Sequence, residues 1–118
     1  MNDDARSPPT ITIYQDQLRT WRFTLHGAQH ELRLRAGVGF SSLESVQKAV
    51  EDLRREAQHE ELFKISVNSR GKHFAVAVHP ESGIVLGVSQ NFEDREDLLA
   101  ELASVRAELP EATIQEEC

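Results

Sequence analysis

The chain contains little cysteine, glycine, proline and aromatic residue, and these shortages exclude several classes of protein. Its single cysteine, Cys118, allows no intramolecular disulfide and no cysteine-based zinc cluster, so we expect a reducing, cytoplasmic location. With 6 Gly and 4 Pro in 118 residues, the composition is neither collagen-like nor low in complexity. No apolar run approaches the roughly 18 residues that a membrane helix needs, and none follows the acidic start, so we expect neither membrane insertion nor secretion.

The residues that are present suit one soluble domain. Hydrophobic residues make up 39% and charged residues 28% of the chain, enough for a core without disulfides or metals. The net charge is -7, but the stretch after residue 107 carries much of it, on Glu108, Glu111, Glu116 and Glu117. Because the acidity is concentrated at one end, the total charge alone does not exclude an anionic partner.

The first half predicts three strands and a helix. Apolar and polar residues alternate over 10–14, 21–25 and 31–35, the pattern of half-buried strands. Ser42 is placed to cap a helix that runs to about Ala57, with apolar residues recurring every three or four positions.

The second half repeats this order. Strands are predicted over 62–67, 73–78 and 84–89, and a second helix is capped by Asp94. A short final strand is expected around Thr113-Ile114, the alternative being a frayed acidic tail.

Aligning the two halves predicts an internal repeat. From the third strand onward they superpose without a gap, with Phe40 on Phe92 and Ser42 on Asp94, and upstream Phe23 pairs with Phe74. The predicted fold is α+β: a tandem duplicated β-β-β-α(-β) motif with an antiparallel sheet and two helices packed on one face. Trp21 and Phe74 are expected in its core. Residues 1–9 are predicted to be a disordered lead, and 10–118 to be one domain of two repeats, 10–61 and 62–118.

Several sequence features resemble the YegP-like family of small prokaryotic proteins of unknown function. They are the segments Tyr14-Gln15-Asp16, Trp21-Arg22-Phe23-Thr24-Leu25 and Leu109-Pro110-Glu111-Ala112, and an aromatic residue before each helix. The chain departs from the family at Phe40 and Phe92, where members usually have tyrosine. The resemblance implies two β-β-β-α-β units that share one sheet by exchanging their last strands, and it implies no catalytic residues.

No residue pattern points to an enzyme, a metal site or a cofactor. His26 and His30 are four residues apart, a spacing that forms a ligand pair on a helix, but here it spans a glycine-containing turn. The segment Gly37-Val38-Gly39 lacks the following Lys-Ser/Thr of a nucleotide loop. No serine has the context of a nucleophile elbow. We therefore predict no catalytic residue.

Arginines are predicted to share the sheet face that points away from the helices. Strand alternation places Arg22, Arg33 and Arg35 there, with Arg19 at the rim. One hypothesis is a site for an anion or for single-stranded nucleic acid. The alternative is a solvated face whose arginines pair with acidic groups such as Glu31.

In the second half, both faces of the predicted strands are apolar. One interpretation is that these strands are covered within the monomer, and the alternative is a homodimer interface that includes Ala75, Ala77 and Val85. We therefore predict an uncharacterised non-catalytic interaction module that self-associates or binds an unidentified protein partner. The alternative function is nucleic-acid binding through the arginine face.

Overall fold

The structure is a computed structural model that describes residues 8–59 and 61–117. Residues 1–7 of the predicted disordered lead, and Cys118, lie outside the described residues. Within these described residues, the strands β1 to β7, the helices α1 and α2 and a 3₁₀ turn follow one another. They are β1 (Thr10–Gln15), β2 (Trp21–His26), β3 (Leu32–Arg35), α1 (Leu43–Arg55), β4 (Phe63–Val67), β5 (His73–Val78), β6 (Val85–Ser89), α2 (Arg95–Glu108), the 3₁₀ turn Leu109–Glu111 and β7 (Thr113–Glu116).

Both helices begin where their capping residues predict. The Ser42 hydroxyl accepts the backbone N–H of Ser45 at 3.1 Å, and the Ser45 hydroxyl accepts that of Ser42 at 3.2 Å, which forms a capping box. Asp94 is the N-cap of α2, although its side chain makes no capping hydrogen bond. The buried helix positions include Val46, Val50 and Leu53 in α1 and Leu98, Leu102 and Val105 in α2.

The seven strands form one mixed sheet in the order β4, β5, β6, β3, β2, β1, β7. Every neighbouring pair is antiparallel except β1 and β7, which run parallel. The predicted final strand is confirmed as β7, but the prediction of a wholly antiparallel sheet is wrong at this edge.

One face of the sheet carries the core. Strand pairing places Phe23, Leu25, Ala75 and Ala77 on a common side, and these residues belong to the buried cluster that also contains the apolar faces of both helices. Trp21 packs against this cluster, as predicted, but it is only half-buried. Phe74 alternates with the buried alanines and points to the other face, so its predicted place in the core is wrong.

Two β-bulges change which side chains reach the helices. Leu25 pairs with Leu34 and His26 pairs with Leu32, so Arg33 is the extra residue of β3. In the same way Ala77 pairs with Gly87 and Val78 pairs with Val85, so Leu86 is the extra residue of β6. A bulge interrupts the alternation of faces, which is why the sequence pattern misplaces Arg33.

No helix of the described residues is long and apolar enough to cross a lipid bilayer.

Candidate interaction surface

The sheet face opposite the helices carries a contiguous apolar surface. We call it the apolar outer patch. Val76 pairs with Val88 and Val78 pairs with Val85 across β5 and β6, so these side chains touch in cross-strand pairs. All are half-buried, and along β5 they alternate with the buried Ala75 and Ala77, which face the helices, so in residues 8–59 and 61–117 the helices lie on the opposite side of the sheet. The patch consists of Phe74, Val76, Val78, Val85 and Val88.

A glycine shapes the border of the apolar outer patch. A Cβ added to Gly37 would lie 2.8 Å from both Val85 Cγ1 and Val88 Cγ2. Any larger residue would push these valines apart, so Gly37 lets the loop after β3 lie directly against the patch. This contact joins the two halves of the chain at the centre of the outer face.

The residues predicted to form a dimer interface lie on different faces. Ala75 and Ala77 are fully buried beneath the helices, and their small side chains make room for α2. The structure therefore corrects their placement, because neither alanine faces outward. Val85 does lie on the apolar outer patch. The sequence of β5 shows apolar residues on both faces of the strand, but alternation alone does not indicate which of the two faces the helices cover.

The four predicted arginines do not form one site. Arg33 lies against α2, where its Nε donates to Glu108 at 2.6 Å and its Nη1 donates to Glu101 at 2.7 Å. Its side chain is 13% exposed. The prediction that Arg33 faces away from the helices is therefore wrong, and the bulge in β3 is the reason.

The acidic partners keep Arg33 charged. Burial lowers the pKa of this guanidinium, but hydrogen bonds and charges from Glu108 and Glu101 outweigh burial and raise its pKa above the usual value. The pKa of Glu31 is lowered by its own backbone amide, by the amide of Gln29 and by the nearby Arg33. Arg33 is thus a structural cation whose donors are already used.

The other three arginines lie apart. Arg19 occupies a turn at φ 63°, outside the sheet face. Arg22 Nε donates to Asp16 Oδ2 at 2.9 Å, and hydrogen bonds from Thr20 and Arg22 hold the pKa of Asp16 below its usual value. Arg35 is exposed and pairs across the strand with Val88, so it borders the apolar outer patch.

A cavity of about 280 Å³ opens between α1 and the hairpin of β5 and β6. Its wall includes Leu86, Phe40 and the buried carboxylate of Asp52. His79 Nε2 lies 3.9 Å from Asp52, while its Nδ1 accepts the backbone N–H of Glu81 at 3.1 Å. Because that hydrogen bond occupies Nδ1, the imidazole serves to hold the hairpin turn.

The described histidines do not gather into a metal centre. His26 and His30 border a shallow depression with Thr10, Thr12 and Gln115. Within 8–59 and 61–117, no three His, Cys, Asp or Glu side chains converge as a metal site requires. The four-residue histidine spacing thus belongs to the β2–β3 turn.

Comparison with known proteins bears on the fold. No protein-family model matches the chain, and no curated protein matches it either. Two solved structures share its fold. The solution NMR structure of yegP, a protein of unknown function from E. coli, has a TM-score of 0.86 at 20% identity and covers 93% of both chains. A UPF0339 protein from Shewanella oneidensis has a TM-score of 0.85 at 14% identity, covering 93% of this chain and 92% of its own. The resemblance to the YegP-like proteins is confirmed at the level of fold.

Proposed function

We propose that the chain is a member of the YegP-like family and a non-catalytic interaction module that self-associates through the apolar outer patch. One observation carries this proposal: five neighbouring apolar side chains occupy a sheet face that no described helix covers. A contiguous group of partly exposed apolar side chains on one face marks interaction sites in soluble proteins.

A second copy of the chain suits this surface. The outward positions of β5 and β6 carry no charged residue, so stacking two patches desolvates no charge on those strands. A two-fold axis would place each patch on itself, the arrangement of most soluble dimers. The exposed Arg35, opposite Val88, and the exposed Lys64, opposite Val76, then lie at the rim, where interfaces are polar.

We further propose that the fold is an internal duplication, because its turns correspond. Asp16 Oδ1 accepts the backbone N–H groups of residues 18 and 20, and Asn68 Oδ1 accepts those of residues 70 and 72. The third residue after each acceptor has positive φ, at Arg19 and at Gly71. The same local structure thus recurs in the second half, with Asn68 in the place of Asp16.

The strand pairing supports the duplication and adjusts its alignment. Ile13 pairs with Phe23 in the first half, and Ile65 pairs with Ala75 in the second. Ile65 follows Ile13 by the same number of residues as Asn68 follows Asp16. Phe23 therefore corresponds to Ala75 and not to Phe74. The bulge residues Arg33 and Leu86 follow a slightly larger offset, because the turn before Leu86 is longer than the turn before Arg33. Gap-free superposition therefore holds from the residues that precede each helix, Phe40 and Phe92, and not from the third strand.

The oligomeric state tests the proposed function. Sedimentation equilibrium of the full chain is expected to show a dimer that Val76→Lys dissociates, because a lysine there would be desolvated without a partner. Thr12→Lys is the matched control: Thr12 points to the same sheet face, on the distant strand β1, and the dimer should persist. A chain that sediments as a monomer at every concentration would refute self-association.

The nucleic-acid alternative rests on dispersed arginines. Arg33 is tied to α2 and Arg22 to Asp16, which leaves Arg35, of the predicted set, exposed on the outer face. A titration with a short single-stranded oligonucleotide at low salt tests this alternative. Amide shifts around Arg35 that vanish as salt rises would favour it, because counterion release makes such binding salt-dependent.

A further inference from the structure

The two edges of the sheet are not equivalent in the structure. On one side of the sheet, β7 pairs with β1 and forms the edge. The Thr113 amide donates to Pro9 O and the Glu117 amide donates to Ile13 O, both at 2.8 Å. At the opposite edge β4 has no further strand beside it among the described residues. An unpaired edge leaves a row of backbone donors and acceptors available for another chain.

Strand pairing shows that β4 occupies the position that β1 has on the other side. Ile11 pairs with Leu25 and Phe63 pairs with Ala77, which is the same register in the second half as in the first. The central strands β3 and β6 are antiparallel, with Arg35 opposite Val88. The two sides of the sheet therefore correspond by an approximate two-fold rotation, and the place of β7 has an empty counterpart beside β4.

The surface next to β4 is more apolar than the one that β7 covers. On the β7 side, Gln47 of α1 donates to Glu116 at 2.5 Å, and a groove there is lined by Ile13, Ile114 and other residues. When α2 is aligned with α1 through Phe92 and Phe40, Leu99 takes the position of Gln47. Leu99 is 41% exposed.

Further side chains complete this surface. Val67, at the end of β4, is 54% exposed, and Ile65 is half-buried against the core. Arg106 of α2 lies over the Phe63 ring, 5.1 Å from its centroid, which places the helix beside this strand. Ile65, Val67 and Leu99 form what we call the edge shelf. Lys64 is exposed on the opposite face of β4.

We propose that β4 and the edge shelf bind an extended segment of a partner protein, parallel to β4, in which an acidic residue stands between two apolar residues. The precedent is β7, whose Ile114 and Glu116 lie opposite Ile11 and Ile13 on the helix side. In the equivalent register the two apolar residues face Phe63 and Ile65, and the acidic residue lies beside Lys64. This is strand addition at a sheet edge.

This inference rests on the proposed role as an interaction module. The edge shelf lies on the helix side of the sheet, whereas Lys64 is the cross-strand neighbour of Val76 and borders the apolar outer patch. Amide chemical shifts of the labelled full chain are recorded while a capped eight-residue peptide with a central valine–glutamate–isoleucine sequence is added. Shifts in β4 and around Leu99 are expected. A peptide with lysine in place of glutamate should bind about tenfold more weakly.

Variants test the binding mode. Leu99→Ser and Lys64→Glu should each weaken peptide binding by about tenfold, whereas Arg19→Glu, the same charge reversal at an exposed turn, should not. An N-methylated peptide should fail to bind, because strand addition needs its backbone donors. Sedimentation without peptide reports the apolar outer patch separately, so failure of one proposal is distinguishable from failure of the other.

Three results would overturn this inference. The first is an amide spectrum that does not change at millimolar peptide. The second is a set of shifts confined to β1, which would indicate that the peptide displaces β7. The third is a set of shifts in β4 that appear without peptide and grow with protein concentration. The last would identify a second copy as the occupant of this edge.

Discussion

Arg33 donates from Nε to Glu108 across 2.6 Å and so ties the third strand to the last turn of α2. Glu101, earlier on the same side of that helix, accepts from Nη1 of the same guanidinium. Under the proposed duplication, the bulge residue Leu86 corresponds to Arg33, and Ala49 of α1 corresponds to Glu101; Leu86 and Ala49 line one cavity wall. In that alignment, a charged contact in one half stands where the other half has an apolar one.

This correspondence predicts how the ion pairs respond to substitution. Arg33→Leu should lower the free energy of unfolding by about 1–3 kcal/mol, because the carboxylates of Glu31, Glu101 and Glu108 lose their donor. Adding Glu101→Ala to the Arg33→Leu variant should restore part of the lost stability, because residues 33 and 101 are then leucine and alanine, as Leu86 and Ala49 are. Urea unfolding of both variants measures this, and a double variant less stable than Arg33→Leu alone would contradict it.

The assignment of the helix face predicts a large effect at Leu53. This side chain is 0% exposed, so Leu53→Ala should lower the free energy of unfolding by about 2–5 kcal/mol through the cavity it leaves. Leu18→Ala is the matched control, because Leu18 is 85% exposed and should tolerate the change. Thermal unfolding distinguishes the two, and equal melting midpoints would show that α1 packs on another face.

The turn at Asp16 predicts a pH dependence of stability. Folding holds the pKa of Asp16 below its ordinary 3.8, so its stabilising contribution is present above that value and is lost as pH falls through the lower, folded pKa. Asp16→Asn should keep the turn at neutral pH, since Asn68 accepts the equivalent backbone bonds. The variant should therefore lose less stability than the parent between about pH 5 and about pH 2. Urea titrations across that range check this, and parallel pH profiles would argue that Asp16 is not involved.

Local signals are sufficient to predict the helices and the order of strands. Ser42 and Asp94 are capping residues followed by apolar positions at helical spacing, and both helices begin directly after them. Analogy with the chain after the first helix places Ile114 in a final strand, and the structure has β7 there. Each of these features depends on a few neighbouring residues, so it can be predicted from the sequence alone.

The faces of the strands cannot be predicted in the same way. The bulge at Arg33 arises from pairing with β2, and a single extra residue turns that side chain toward α2. The choice between Phe74 and Ala75 as the buried residue depends on which side the helices cover, a tertiary property. The parallel pairing of β7 with β1 likewise joins strands at opposite ends of the described chain, which no local pattern reports.

The apolar outer patch is the central element of the proposed function, and contacts between copies test it most directly. A mixture of isotope-labelled and unlabelled chains, examined by filtered nuclear Overhauser spectroscopy, reports only contacts between different molecules. The proposal predicts intermolecular contacts between methyl groups of Val76, Val78 and Val88. A dimer whose intermolecular contacts lie elsewhere, or a spectrum without any, would contradict it.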